Sequence, residues 1–394
     1  MIYYVVLLLI VILSIRYDIN GKTKYRDEWY TALIIILIVI AGLRFRLGED
    51  TISYINSFYH DTPDLWNLRT DDFLTSGSPP LWILLNSFIK TLGGRFYVVQ
   101  FVQATILNVL LLKYFKKHSP YPFACVALYF FWRYQWFSMV VMKAAIALSI
   151  ILFANDYILE RKYKKGLMLI LIATGFHQSS LLFVITPFLT FLRFNRIGCI
   201  ILVSTYFVGA ILQSKLGDVF ELFETAEGVS NKLDSYMASD YMSQNHNLNY
   251  FIIHIFPLII YPILSISYLK WNCKDSKVLR LEPFLIIALI FQVMQFHIHI
   301  FYRYTYTYTP YYIIFIVHFL IEFSKRSFLL SKSLAYLRSF AVVFPLLFSF
   351  AFVHPLTYVD FYPYSSIFER SIDKEREKYY SEIKYDYTLN LNEY

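Results

Sequence analysis

The chain alternates between long apolar runs and short polar connections. Apolar stretches occupy positions 2–15, 29–43, 79–92, 96–113, 121–136, 137–159, 166–192, 197–213, 250–269, 282–300, 308–324 and 339–354. A bilayer-crossing helix needs about 20 mostly apolar residues, fewer where aromatic anchors close its ends. Runs of this length must be helices, because an open sheet would leave backbone groups unpaired in lipid. The pattern predicts an all-α integral membrane protein with about 10 full transmembrane helices plus two broken or re-entrant elements.

The two irregular elements come from local breaks in the pattern. Stretch 79–92 opens with Pro79 and Pro80, closes with Gly93 and Gly94, and is too short for a comfortable crossing. It is expected to dip in and return outward. Stretch 166–192 is longer than one span and is interrupted by Gly175-Phe176-His177-Gln178-Ser179-Ser180. Two half-spanning helices meeting mid-membrane would put its basic ends on one side. Such discontinuous helices are tolerated where they line a cavity.

Composition agrees with a membrane protein. Of 394 residues, 57% are hydrophobic and 16% charged, against about 25% charged in soluble domains. Positive charges gather at 16–28, 113–117, 161–165, 193–196, 270–280 and 325–338. By the positive-inside rule these loops are cytoplasmic. The net charge of +8 therefore reads as topology and gives no reason to expect nucleic acid. Loop 44–78 carries six acids against three basic residues, and loop 214–249 six against two, so both are expected outside. The expected organisation is a polytopic membrane domain, 1–354, and a polar tail, 355–394, with both termini outside. The first stretch has no basic segment before it and no small-residue cleavage site after Ile15, and reads as a retained helix. Cys125, Cys199 and Cys273 show no paired spacing that would frame a disulfide network or a zinc site. Tail residues 369–384 have charges spaced for a solvated surface helix.

Ionisable residues inside spans are costly, and each needs a reason. They include Lys143, His177, His254, Glu282, His297, His299, His318 and Glu322. Glu282 and Glu322 fall near cytoplasmic span ends, where a structural role is expected. Lys143 opens the helix MKAAIALSIILFA near the outer face, with Arg133 one loop earlier; it reads either as an interfacial snorkelling lysine or as a functional cation. His177 sits in the break of the split stretch, as a hydrogen-bond donor or proton carrier facing a cavity. His297 and His299 are two apart and do not make an i, i+4 metal pair. Arg303 lies among tyrosines in FYRYTYTYTP, where a guanidinium fork pairs with phosphate and aromatic faces stack on sugars or anchor at the headgroups. In GLRFRLGEDTISY, at 42–54, Arg44 and Arg46 either pair with the nearby acids Glu49 and Asp50 or form a cluster for a phosphate-bearing substrate. In the second reading a carboxylate serves as proton acceptor.

These segments resemble the EpsG-like family of membrane polysaccharide polymerases, the Wzy type. GLRFRLGEDTISY is similar to the family's Gly-Leu-Arg…Gly-x-Asp-x-x-x-Tyr signature and places Arg44, Gly48, Asp50 and Tyr54 at its positions. MKAAIA stands where the family has Met-Arg-Gln-Ala-Ile-Ala, with Lys143 for the arginine. GFHQSSL matches Phe-His-x-Ser-Ala-Leu through His177 and Ser179, and Arg303 and the PYSSIF of 363–368 match more loosely.

The resemblance implies a GT-C-like helical architecture and a glycosyltransferase of the bacterial inner membrane. Such an enzyme joins oligosaccharide repeat units, carried on undecaprenyl pyrophosphate, at the outer leaflet during O-antigen, capsule or exopolysaccharide synthesis. A chain-length regulator is an implied partner. Arg44, Lys143 and Arg303 would neutralise the departing pyrophosphate, with Arg46, Tyr54, Arg133 and Ser179 completing the substrate contacts. Asp50 and His177 are the two candidates for the base. The matched motifs hold no DxD-like carboxylate pair, so neither a tightly bound metal nor another cofactor is expected. Two other readings remain: a membrane O-acyltransferase modifying a surface glycan, and a lipid-linked oligosaccharide flippase, which would favour similar halves that the sequence does not display.

Overall fold

A computed structural model describes residues 2–75, 77–223, 251–274, 276–298, 301–330 and 358–383. The regular elements among the described residues are helical; extended backbone pairing occurs as an isolated bridge between Arg44 and Ser366. Four helices among the described residues are long and apolar enough to cross a membrane on their own: Ile2–Ile19, Phe96–His118, Met142–Leu159 and Arg196–Gln213. Stretch 339–354, residues 224–250 of the outer loop, and His299 lie outside the described residues, as does the side chain of His254.

The chain divides into two compact units, residues 1–187 with 353–394, and residues 188–352. In the first, α1 (Ile2–Ser14) packs against α6 (Pro122–Trp132), and α2 (Arg26–Gly42) against α5 (Phe96–His118). The short α3 (Thr51–Asn56) and α4 (Pro80–Thr91) lie between α2 and α5 in sequence. Then α7 (Met142–Leu159) and α8 (Tyr163–Phe176) form a helical hairpin. Gly42 lets α2 and α5 close up, since a Cβ there would stand 2.9 Å from the Phe101 Cα.

Polar contacts mark the two ends of this bundle. At one end, Arg26 reaches Asp18 (3.4 Å) and Lys116 reaches Asp27 (2.8 Å). At the same end Lys117 and His118 converge on Asp156, at 2.6 and 2.9 Å. The other end gathers Arg44, Met139 and the carboxy-terminal segment, and Tyr3 joins them with its ring 5.0 Å from that of Tyr362. Tyr3 and segment 358–377 thus share one end of the first unit.

The first irregular stretch forms one short helix, and the second is interrupted at His177. α4 is 12 residues long, about 18 Å at 1.5 Å per residue, too short for a hydrocarbon core of about 30 Å. Trp82 in its first turn packs against Tyr54, while Lys90 in its last turn donates to the carbonyls of Phe58, Tyr59 and Thr62, so both ends engage the segment that follows the Arg44 loop. α8 stops at Phe176, His177 is extended (φ −152°), and a tighter 3-10 helix, Gln178–Ile185, packs back on α8.

The tail departs from its expected solvated face. Its helix, Lys374–Ile383, holds Arg376 only 2% exposed, with Nε and Nη2 donating to the carbonyls of Val359 and Pro363 (2.8 Å each). A buried guanidinium must spend its protons on acceptors, and here they fold segment 358–376 onto itself.

The second unit holds α9 (Arg196–Phe223), α10 (Tyr261–Asn272), α11 (Glu282–Met294) and α12 (Tyr302–Leu330), after which the tail helix α13 (Lys374–Ile383) belongs to the first unit. α11 and α12 run antiparallel: the Phe291 ring lies 5.3 Å from Tyr304 and 6.1 Å from Tyr308, and Phe284 lies 5.0 Å from Tyr311. Glu282 accepts from Lys270 Nζ (2.8 Å) and from the Phe194 amide, the structural role expected of it. His318 pairs with Ser276 at 3.2 Å.

Candidate active site around the arginine loop

The loop after α2 is built around the Arg44 guanidinium. Its side chain is fully buried. Nη1 donates to the Ala41 carbonyl (2.6 Å), Nε to Leu47 (3.2 Å) and Nη2 to Met139 (3.3 Å), with the Met142 Sδ at 3.3 Å. Burial pulls the guanidinium down to about 10, so it stays charged at neutral pH. Its partners among the described residues are carbonyls and a thioether, and its positive charge is not cancelled by a carboxylate. Arg44 therefore ties the loop to the segment before α7, and its charge contributes a field more than a hydrogen-bonding fork.

Backbone geometry completes the turn. Arg46 (φ 53°) and Gly48 (φ 96°) are left-handed. A Cβ on Gly48 would lie 2.5 Å from the Met139 oxygen, so only glycine fits. Thr51 Oγ1 donates to Leu47 (2.6 Å), and the Gln100 amide donates to the Arg44 carbonyl (3.2 Å). From the far end of the chain, Ser365 accepts from the Phe45 amide (2.8 Å), Asp360 from Gly48 (3.2 Å), and Ile367 donates to Leu43 (2.9 Å). The PYSSIF segment is thus laid antiparallel along the arginine loop.

Arg46 points its Nη2 at Glu377 Oε2, 2.7 Å away and 331 positions along the chain. A shallow cleft opens here, lined by Arg44, Arg46, Arg370, Tyr59, Tyr97 and Gln100 among others.

Lys143 occupies a neighbouring aromatic corner. Its Nζ donates to Ser78 Oγ (3.0 Å) and lies 5.4 Å from the Tyr54 ring and 5.7 Å from the Trp82 ring. These rings stand 5.6 Å apart and border an apolar cluster of Ile55, Phe58, Ile89, Phe96, Val99, Met142 and Ile146. Asp50 precedes α3 by one residue and stands one turn before Tyr54, on the same helix face. Phe176, next to His177, packs against the cluster that contains Trp82.

The EpsG family model matches residues 28–377. The chain belongs to the EpsG family. No curated protein and no solved structure matches it. Family membership makes it a membrane protein of polysaccharide biosynthesis.

Within this EpsG protein the structure groups Arg44, Arg46, Asp50, Tyr54 and Lys143 at one end of the first unit. Arg133, on the loop before α7, stacks on the Trp132 ring at 4.8 Å. Ser179 lies on the 3-10 helix after His177. Arg303 belongs to the second unit, its Nε donating to the Tyr302 hydroxyl at 3.3 Å. Sequence reading missed Trp82, Ser78, Arg370 and Glu377 at this end, and Asp156 at the other. Asp156 left one signal: an acid in an apolar span, in a chain whose helix α5 ends in Lys116, Lys117 and His118.

Proposed function

We propose that this protein is a polysaccharide polymerase that joins undecaprenyl-pyrophosphate-linked oligosaccharide repeats at the outer leaflet of the bacterial inner membrane. The observation that carries the reading is the gathering of Arg46 and Lys143 with Asp50 and two aromatic rings at one end of a membrane bundle, around the loop held by Arg44. A pyrophosphate at the lipid surface calls for cations, and a glycan calls for aromatic faces with polar edges.

In this reading an acceptor hydroxyl oxygen attacks the anomeric carbon of the donor. The bond from that carbon to the pyrophosphate oxygen breaks, and the lipid pyrophosphate leaves with the electron pair. Lys143 and Arg46 neutralise charge developing on it, and Arg303 is retained as a further candidate cation. Asp50, one turn from Tyr54, takes the proton of the attacking hydroxyl; His177 is the second candidate for that step. Removing one such charge-stabilising group commonly costs about 10²–10³ in rate. Tyr54 and Trp82 keep Lys143 in place by cation–π contact, an interaction of about 0.5–2 kcal/mol.

The test is deletion of the gene in its host, with lipid-linked glycans and surface polysaccharide resolved on a gel. Single repeat units in place of a long ladder are the expected result. A ladder of normal length defeats the polymerase reading, and a missing acyl group by mass spectrometry would identify an acyltransferase instead.

A further inference from the structure

The polarity of α4 is inverted. Asn86 and Ser87 are buried, and Lys90 turns inward to the carbonyls of Phe58, Tyr59 and Thr62. The opposite face is apolar and uncovered. Leu84 is 37% exposed, Phe88 52% and Leu92, just past the last turn, 71%. Residues four apart lie one above another on a helix, so these three form a single stripe. A helix at a water boundary turns its polar side chains out and its apolar stripe toward the core. Here the polar side chains are turned in and the outer face is apolar.

The two ends of α4 have different surroundings. At its carboxy-terminal end the Leu65 amide donates to Thr91 Oγ1 (2.8 Å), which sets the neighbouring Trp66, 86% exposed, beside Leu92 and the end of the stripe. The chain then turns through Gly93 and Gly94 into α5, whose first turns expose Tyr97 and Phe101. α5 is long and apolar enough to cross a membrane. The amino-terminal end packs on α8, where a Cβ on Gly175 would stand 2.6 Å from Leu81 Cγ. α8 starts at Tyr163 beside the basic turn 161–165, which marks one membrane boundary. Gly175 lies about 18 Å along the axis from Tyr163, short of the far side of a hydrocarbon core about 30 Å thick. The start of α4 is therefore within the core, and its end is at the surface.

We propose that α4 is a half-membrane helix whose Leu84–Phe88–Leu92 stripe lies against the acyl chains of the leaflet at the arginine-loop end, with Trp66 at the headgroup level. An exposed apolar patch marks a contact with membrane or protein, and continuity with the exposed Phe101 of a crossing helix selects the membrane. Tryptophan is the anchor residue of the membrane–water interface, and Trp66 stands where the stripe reaches that interface. The placement holds whatever reaction the protein catalyses. It also makes α4 the wall between lipid and the Lys143 corner: Trp82, on its buried face, lies 5.7 Å from Lys143 Nζ, and Ser78, two residues before Pro80, accepts from that nitrogen at 3.0 Å.

The experiment places single cysteines at Leu84, Phe88 and Leu92 of the full-length protein, with Cys199 and Cys273 replaced by serine and the buried Cys125 retained. All three positions are exposed, so the core is left untouched. Each variant carries a nitroxide label in a lipid nanodisc. Its collisions are measured with oxygen, which concentrates in hydrocarbon, and with a water-soluble nickel chelate. Phe101→Cys is the lipid reference, and Arg69→Cys, on the exposed loop before α4, is the water reference. The three stripe positions should give an oxygen-to-nickel ratio close to that of Phe101→Cys and several-fold above that of Arg69→Cys, with Trp66→Cys between the two references. Leu84→Cys should lie deeper than Leu92→Cys, by up to about 12 Å for eight residues at 1.5 Å rise. A stripe with the ratio of Arg69→Cys faces water, and the proposal is overturned. Shielding from both reagents would mean that a second copy or another protein covers the face, and overturns it as well. Equal depths at Leu84 and Leu92 would overturn the half-membrane placement.

Discussion

At the residue scale, the two motif cations have different tasks. Arg44 is buried against three carbonyls, and a lysine ammonium in its place cannot reach all of them. Arg44→Lys is expected to destabilise the first unit by about 2–4 kcal/mol through unpaired buried acceptors, so membrane abundance and polymer should fall together. Immunoblots showing full abundance with polymer lost would instead make Arg44 a direct substrate ligand. Lys143 is half-buried on neighbours a guanidinium can also use, and Lys143→Arg should keep abundance and activity. Lys143→Met should keep abundance and lose about 10²-fold in rate. Glu377 makes the loop sensitive to pH. Burial holds its carboxyl above the usual value of 4.5, with Arg46 opposing the shift. A folded pKa raised above the unfolded one means the native state binds the proton more tightly, so this contribution to stability is present in acid and is lost as pH rises from 4.5 through the raised value. Protease cleavage in 358–383 should therefore increase over that window, and Glu377→Gln should flatten the response.

Among the helices, what was legible in the sequence was what repeats locally. The apolar runs declare the helices, Pro79-Pro80 and Gly93-Gly94 bracket α4, and GFHQSS marks the break at His177. The loop GLRFRLGED was recognisable as a special turn because Gly48 stands between opposite charges. The use made of each charge was not legible, since an arginine that grips a substrate and one that grips carbonyls look alike in a sequence. Nor was the Arg46–Glu377 pair, whose members are remote in the chain, or the burial of Arg376 on a helix whose charges read as solvated. The α11–α12 hairpin poses the same difficulty. Gln292 is fully buried, and neither atom of its amide finds a hydrogen-bond partner among the described residues. An unsatisfied buried amide costs about 1–3 kcal/mol. Gln292→Leu, close in volume, is expected to raise the thermal midpoint of the purified protein. A lowered midpoint would mean that the amide is satisfied in the native membrane.

For the whole molecule, the two ends of the first unit fix a topology once one end is assigned to a side. The end with Asp18, Asp27 and Asp156 carries Arg26, Lys116, Lys117 and His118 and continues into Arg161 and Lys162, a basic surplus of the kind retained in the cytoplasm. The end with the arginine loop holds Tyr3, the start of α5 and segment 358–377, and a polymerase acting on the outer leaflet needs that end outside. One argument rests on charge bias and the other on the proposed outer-leaflet chemistry, and both would put the arginine loop outside. They can fail separately in a single labelling experiment on intact cells. With Cys199 and Cys273 replaced by serine and the buried Cys125 retained, Glu369→Cys should react with a membrane-impermeant maleimide from outside. Lys22→Cys should react only after the cells are opened. Labelling of Lys22→Cys alone in intact cells would invert the bundle, placing the arginine loop and its cleft in the cytoplasm. The lipid-linked donor would then have to be read as a cytoplasmic one, and the outer-leaflet polymerase would be excluded by topology even if the ladder is lost on deletion.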